Sequence, residues 1–208
     1  MGKKCVPVYG DGYITDVLCE VKVRLSALSF YQVNRTMAER LYEIAADFAD
    51  CDGKILLDLY CGAGSIGLSM ADKAGEVIGI EIVESAVECA KFNARENGIK
   101  NAEFYAGDAK NTERMLENAT KSRKKAINPD VVILDPPRAG SSAELLHFIA
   151  KLSPKRIVYV SCNPTTLARD IVILRELGYD TDTVYPFDLF PATGHVESVV
   201  CLKRTAVN

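Results

Sequence analysis

Ile55-Leu56-Leu57-Asp58-Leu59-Tyr60-Cys61-Gly62-Ala63-Gly64-Ser65-Ile66-Gly67 decides how the rest of the chain is read. Its apolar opening has the length and composition of a strand buried on both faces, and Gly62-x-Gly64-x-x-Gly67 then begins a segment of helical period. Glycines at such a strand-to-helix turn let the backbone turn tightly and let a ligand approach it. From about residue 36 onward the same alternation recurs. Strands are expected at 54–59, 76–81, 102–106, 131–135, 156–161, 180–186 and 196–202, and helices at 37–49, 66–73, 85–97, 142–151 and 165–177. Strands separated by helices build a mostly parallel sheet, and the last two strands have no room for a helix between them. The expectation is an α/β, doubly wound, seven-stranded sheet with an antiparallel edge hairpin.

The first 35 residues break this rhythm. Gly10-Asp11-Gly12 reads as a turn flanked by antiparallel strands at 5–9 and 13–25, too little to form a domain. The chain has 208 residues, 48% of them hydrophobic, enough for one large core. Its formal net charge of -3 gives no whole-chain signature of a nucleic-acid binder. The basic run Lys121-Ser122-Arg123-Lys124-Lys125 lies in the least hydrophobic stretch, between Asn111 and Asn128, where a helix or an exposed loop fits. It reads as a solvated face or an RNA-phosphate contact. Seven cysteines without a C-x-x-C pair, and with no signal-peptide pattern or long apolar run, imply reduced thiols in a cytoplasmic protein outside any membrane.

The glycine motif alone fits NAD as well as S-adenosylmethionine. Glu81 closes the next strand, where an acid can accept both ribose hydroxyls. Two further acids favour S-adenosylmethionine: Asp58, placed to meet a methionine ammonium, and Asp108 after the third strand, where methyltransferases of this fold address the adenine amine. A turn-forming Asp is the alternative for Asp108. The ligand crevice is expected at the carboxyl ends of the strands.

Two further strand ends face that crevice. Asp135-Pro136-Pro137-Arg138 ends the fourth long-range strand in a rigid turn, with Arg138 where amino-methylating enzymes place an aromatic residue. Ser161-Cys162-Asn163-Pro164 ends the fifth and exposes a thiol at the turn. Carbon 5 of a uracil becomes nucleophilic only after a thiolate has added to carbon 6, and the carbon 5 proton must later be removed by a base. His195 and Glu197, ahead of the last strand, are the candidates for that base. His147 falls inside an amphipathic helix and reads as structural.

Taken together, Ser29–Asn34, Asp58–Gly64, Asp135–Gly140, Ser161–Asp170 and Asp188–Glu197 resemble the RNA (uracil-5-)-methyltransferase family, which acts on tRNA and 23S ribosomal RNA. The Ser-Cys-Asn-Pro and His-Val-Glu blocks are specific to it, whereas the glycine loop is not. The resemblance implies the Rossmann-like S-adenosylmethionine-dependent fold, with S-adenosylhomocysteine as product. It implies Cys162 as nucleophile, Glu197 as base, and Gln32, Tyr60, Gly62, Gly64, Glu81, Asp108 and Asp135 around the cofactor, with Asp135 also near the target base. Asp188-Leu189-Phe190-Pro191 followed by Thr193 and His195-Val196-Glu197 resembles the ribosomal RNA branch more than the tRNA branch.

Ribosomal-type members also carry an N-terminal RNA-binding domain and a larger central domain, some with an iron–sulfur cluster. Residues 1–35 resemble the end of that central domain, with 36–208 as the catalytic domain. The expectation is a monomeric catalytic fragment without a metal site, which binds S-adenosylmethionine and binds RNA weakly. Cytosine-5 methyltransferases of RNA place Pro before their cysteine, which Cys162 lacks. A non-catalytic RNA-binding module would leave Cys162 and Glu197 without purpose, and an NAD oxidoreductase would do the same to Asp-Pro-Pro-Arg.

Overall fold

The structure is a computed structural model that describes residues 6–108, 111–123 and 127–205. In chain order its elements are β1 (Tyr13–Leu18), β2 (Val21–Ser26), α1 (Arg35–Ala49), β3 (Ile55–Leu59), α2 (Ser65–Ser69), β4 (Glu76–Glu81), α3 (Glu84–Glu96) and β5 (Ala102–Ala106). They continue with α4 (Thr112–Arg123), β6 (Val131–Leu134), α5 (Ala143–Leu152), β7 (Arg156–Ser161), α6 (Pro164–Glu176), β8 (Tyr179–Asp180), β9 (Val184–Phe187) and β10 (Glu197–Arg204).

The central sheet runs β5-β4-β3-β6-β7-β10-β8, with β9 also on β10. Neighbours from β5 to β7 are parallel, and β10 is antiparallel to β7, β8 and β9. The edge position expected at 180–186 is thus occupied by two short strands in line on β10, interrupted at 181–183. Successive side chains of a strand face opposite sides, and each side here has its own core. Val131, Ile133, Val158 and Val160 pack with α1 and α3, whereas Val132, Leu134, Ile157 and Tyr159 pack with α5 and α6. Strands buried on both faces must be apolar throughout, hence the unbroken Val-Val-Ile-Leu of β6. Each such side chain contributes roughly 1.5–3 kcal/mol on burial.

Two expectations need correction, and one left open is decided. Residues 6–9 form no strand, Cys5 lying outside the described residues, and the hairpin instead joins β1 to β2 through Cys19 and Glu20. Both have left-handed φ angles of 48° and 64°, as a two-residue turn matched to strand twist requires. The helix expected at 66–73 stops at Ser69. The stretch 111–128 does contain a helix, α4; Lys121 is exposed there, and Lys124 and Lys125 lie outside the described residues. Among the described residues no helix is long and apolar enough to cross a membrane.

The hairpin is fastened to α3 by two side-chain amides. Asn93 Oδ1 accepts from the Arg24 N–H at 2.7 Å, and its Nδ2 donates to the carbonyls of Arg24 and Ala63. Asn97 repeats the pairing on Lys22, at 2.9 and 2.8 Å. Four helical residues rise about 6 Å, nearly the roughly 6.6 Å of two strand residues, so amides at i and i+4 can serve backbone groups two residues apart on the strand. The open edge of β2 is closed in this way. Leu18, Val21, Val23 and Leu25 join the core below α1 and α3. Asn93→Ala leaves buried partners unmet at both the hairpin and the glycine loop, at a cost of about 2–3 kcal/mol. Thermal unfolding should fall by about 5–10 °C and proteolysis within residues 13–34 should accelerate; an unchanged melting curve would show the amide to be dispensable.

Candidate active site

A cavity of about 850 Å³ opens at the carboxyl ends of β3, β4, β6 and β7. At one end Gly62 and Glu81 form its wall. The Glu81 carboxylate accepts from the Gly62 N–H at 3.1 Å and the Val83 N–H at 2.8 Å, which fixes it while leaving lone pairs on both oxygens. Ile82, 63% exposed, offers an apolar surface next to it, and Asp108 completes this side. Tyr60 turns the chain out of β3 with a left-handed φ of 65°. Gln32, in the segment before α1, is buried at the wall, and among the described residues its Oε1 has no hydrogen-bond partner. A buried amide oxygen facing a cavity without a partner fits a ligand donor.

Gly64 and Asp58 are placed differently from expectation. Gly64 does not line the cavity: with φ of 83° it caps α2, and a Cβ there would meet Phe104, Ala90 and Leu68 at 3.0–3.1 Å. Asp58 is wholly buried behind the glycine loop, its Oδ2 accepting from the Gly67 N–H at 3.0 Å. Burial lifts its pKa to about 7, with the Glu81 charge adding to the rise and the Gly67 bond opposing it. An acid on this face of β3 organises the loop from behind and does not reach the cavity, so the reading of Asp58 against a methionine ammonium is not supported by its position. Tyr42 and Ser65, which no motif marks, do line the cavity and share a hydrogen bond of 3.0 Å.

At the other end lie Asp135, Cys162 and Glu197. Leu59 pairs with Leu134, and the Asp135 N–H reaches the Leu59 carbonyl, so Asp135 follows at the tip of β6 beside Tyr60. Ser198 pairs with Ser161 in the antiparallel β10–β7 ladder. The next position in that register sets Glu197 against Cys162. Cys162 is half-buried, whereas Glu197 is only 3% exposed, unlike the solvated strand-start glutamate that its position in sequence would allow.

These neighbours disturb one another. Burial, then the charges of Glu197 and Asp58, push Asp135 up to about 8. Burial raises Glu197, against the pull of Arg138. Cys162 is raised by burial, Glu197 and Asp135, with Arg138 opposing. His195 does not line the cavity: its Nδ1 lies 2.9 Å from the Arg138 guanidinium, which can only donate, so Nδ1 is the acceptor of that contact. His147 is exposed on α5, bonded to the Ala143 carbonyl.

A doubly wound sheet with its cavity at the strand ends and an acid closing β4 is the fold of S-adenosylmethionine-dependent methyltransferases. M. jannaschii TYW2 in complex with AdoMet shares it at 15% identity and a TM-score of 0.62, over 95% of this chain and 89% of that one. The model of the tRNA (uracil-5-)-methyltransferase family matches residues 11–205, and the chain belongs to that family. It is 31% identical, with a TM-score of 0.77, to the Pyrococcus abyssi tRNA (uracil-54, C5)-methyltransferase in complex with S-adenosyl-L-homocysteine, over 97% of this chain and 48% of that one. An uncharacterized RNA methyltransferase of Clostridium acetobutylicum is 46% identical over 205 residues, 98% of this chain and 43% of its own length. One of Bacillus cereus is 46% identical over 204 residues. The chain therefore spans less than half the length of these curated relatives.

Asp135 has a folded pKa above its ordinary 3.8, so its neutral form stabilises the fold and that contribution is lost as pH rises toward about 8. Asp135→Asn does not titrate. Its melting temperature should exceed that of the native chain by a margin that widens between pH 4 and pH 8, to more than about 10 °C. Thermal melts across that range would show a constant margin if Asp135 were already ionised in the fold.

Proposed function

We propose that this chain transfers a methyl group from S-adenosylmethionine to carbon 5 of a uridine in RNA through a transient bond between Cys162 Sγ and uracil carbon 6. The observation that carries the reading is the placement of Cys162, Asp135 and buried Glu197 at adjoining strand ends on one cavity wall, Glu197 and Cys162 each one residue beyond the paired Ser198 and Ser161. Family membership and the similarity to a tRNA (uracil-54, C5)-methyltransferase support the base and the position methylated.

The other end of the cavity suits the cofactor. Glu81 would take the ribose hydroxyls, Ile82 an adenine face, Asp108 the adenine amine, and Gln32 Oε1 a donor on the methionine portion. Tyr60 and Gly62 complete that wall. When bound, the cofactor supplies an electrophilic methyl group.

Cys162 as thiolate adds to carbon 6, and the ring electrons move to the carbon 4 oxygen as an enolate. Carbon 5 then takes the methyl group, which leaves it with both a hydrogen and a methyl substituent. Glu197 removes that proton, the electrons restore the double bond between carbons 5 and 6, and the thiolate departs. Asp135 holds its proton up to about pH 8, which spares the thiolate one adjacent negative charge. Glu197 must be ionised to act, and its desolvated site strengthens it as a base. His195, off the cavity wall and with Nδ1 occupied by Arg138, is a weaker candidate for that step.

Ribosomal RNA is the proposed substrate class, on the Asp188–Glu197 block, and the named substrate of the Pyrococcus relative makes tRNA the necessary comparison. The chain should be incubated with S-adenosylmethionine and either 23S or tRNA transcripts carrying 5-fluorouridine, whose fluorine the base cannot remove. A complex resistant to denaturation should form with the ribosomal transcript and vanish in Cys162→Ala. An adduct that survives that substitution would overturn the mechanism, and one formed only with tRNA would overturn the substrate class. On ordinary RNA, Glu197→Gln should lower turnover at least about 100-fold and accumulate the methylated adduct; normal turnover would remove Glu197 from its role.

A further inference from the structure

Cys162 needs to be a thiolate, yet it sits half-buried between two acids. Glu197 and Asp135 share its cavity wall: burial first, then the Glu197 charge, opposes its ionisation, and Asp135 adds to this only as it loses its own proton toward about pH 8. Arg138 is a cation that opposes the rise. It lies three residues beyond Asp135 on the same cavity wall, its side chain exposed and placed where a related turn would carry an aromatic residue.

Arg138 is held from two sides. Its carbonyl accepts from Asn163 Nδ2 at 3.0 Å and from Thr166 Oγ1 at 3.3 Å, both on the turn and helix that follow Cys162. Its guanidinium donates to His195 Nδ1 at 2.9 Å, on the loop that leads into Glu197. Neighbouring backbone is tied down as well. Arg169 donates to the carbonyls of Ala139 and Ser141 at 3.0 and 3.1 Å, and buried Asp170 accepts from the Ser141 N–H and the Tyr159 hydroxyl at 2.8 and 2.6 Å. The turn after Asp135 cannot drift from α6 without breaking these bonds. A guanidinium on a freely rotating stem is averaged by water and loses most of its effect on a nearby group, whereas a fixed one does not.

We propose that Arg138 is a positioning residue for the chemistry, a cation fixed between the Cys162 turn and the Glu197 loop on the cavity wall that carries the thiol, where its charge favours the thiolate over the thiol. His195 serves by anchoring that cation, which gives the histidine a role without a proton-transfer step. Asn163 serves twice, capping α6 through its Oδ1 on the Thr165 N–H and holding Arg138 through its Nδ2. The proposal rests on Cys162 as nucleophile.

The test needs no RNA. Alkylation of the full chain by iodoacetamide is followed at the Cys162 peptide by mass spectrometry as a function of pH, since only the thiolate reacts. Cys51, Cys61, Cys89 and Cys201 are buried and Cys19 is pushed up to about 11, so peptide-level readout separates them. Arg138→Met should move the midpoint for Cys162 upward by about one pH unit and slow alkylation at pH 8 roughly tenfold. Arg138→Lys, which keeps the charge, should recover most of the native profile. A midpoint unmoved in Arg138→Met overturns the proposal. So does a lysine variant shifted as far as the methionine one, because shape would then be the cause. A shifted midpoint together with no adduct on 5-fluorouridine RNA would keep Arg138 as the ionising cation and reject the uracil chemistry, so the two failures are distinguishable.

Discussion

Two residues far apart in sequence become one site because Ser198 pairs with Ser161. The antiparallel ladder between β10 and β7 leaves Glu197 and Cys162 each one residue beyond that pair, and a slip of one residue would carry the carboxylate to the opposite face of the sheet. What prevents the slip is ordinary packing. Val199 belongs to the core under α1, and Val200 and Leu202 to the one under α5 and α6, so each residue of β10 has a side it must face. The chemistry of the cavity thus borrows its precision from apolar side chains that never touch it.

The same constraint shapes the electrostatics. Parallel strands end where helices begin, and the carboxyl ends of β6 and β7 leave their last polar residues in a partly dry floor. Acids gathered in such a place cannot all ionise freely, and each raises the next. The structure answers with rigidity: prolines at 136 and 137, the bonds from Asn163 and Arg169, and a guanidinium tethered by His195. Asp58 shows the same logic applied behind the cavity, where a buried carboxylate holds the glycine loop through one N–H.

Much of the fold was legible because its signals are local. An apolar run between turns marks a strand, a period of 3.6 marks a helix, and Gly62-x-Gly64-x-x-Gly67 marks the junction that places the cavity. Cys162, Asp135 and Glu197 could be named because each stands at a strand end beside turn-forming residues. Other features depend on which face of an element is used. Asp58 and Tyr60 lie two residues apart, yet one is sealed behind the loop and the other turns out at it, where left-handed Tyr60 breaks the alternation. Gly64 was grouped with Gly62 by the motif, although it serves close packing against Phe104. The hairpin turn at Cys19 and Glu20 lacks the Gly or Asn that usually announces left-handed residues, and the Gly10-Asp11-Gly12 signal drew attention away from it. Gln32, Tyr42, Ser65 and Asn93 come together only through tertiary contacts, and no spacing along the chain reports them.

The place of β10 in the sheet bears on how the protein is made. It follows every other strand in the chain, yet it lies inside the sheet, between β7 and the short strands β8 and β9. A ribosome delivers the chain from its N-terminus, so the cofactor half of the cavity is complete in sequence well before the strand that bears Glu197 emerges. Until then β7 presents an open edge, and Cys162 stands without its carboxylate neighbour. Insertion of β10 closes that edge and brings Glu197 to the wall that carries Cys162 in one event, so the far end of the cavity is completed last.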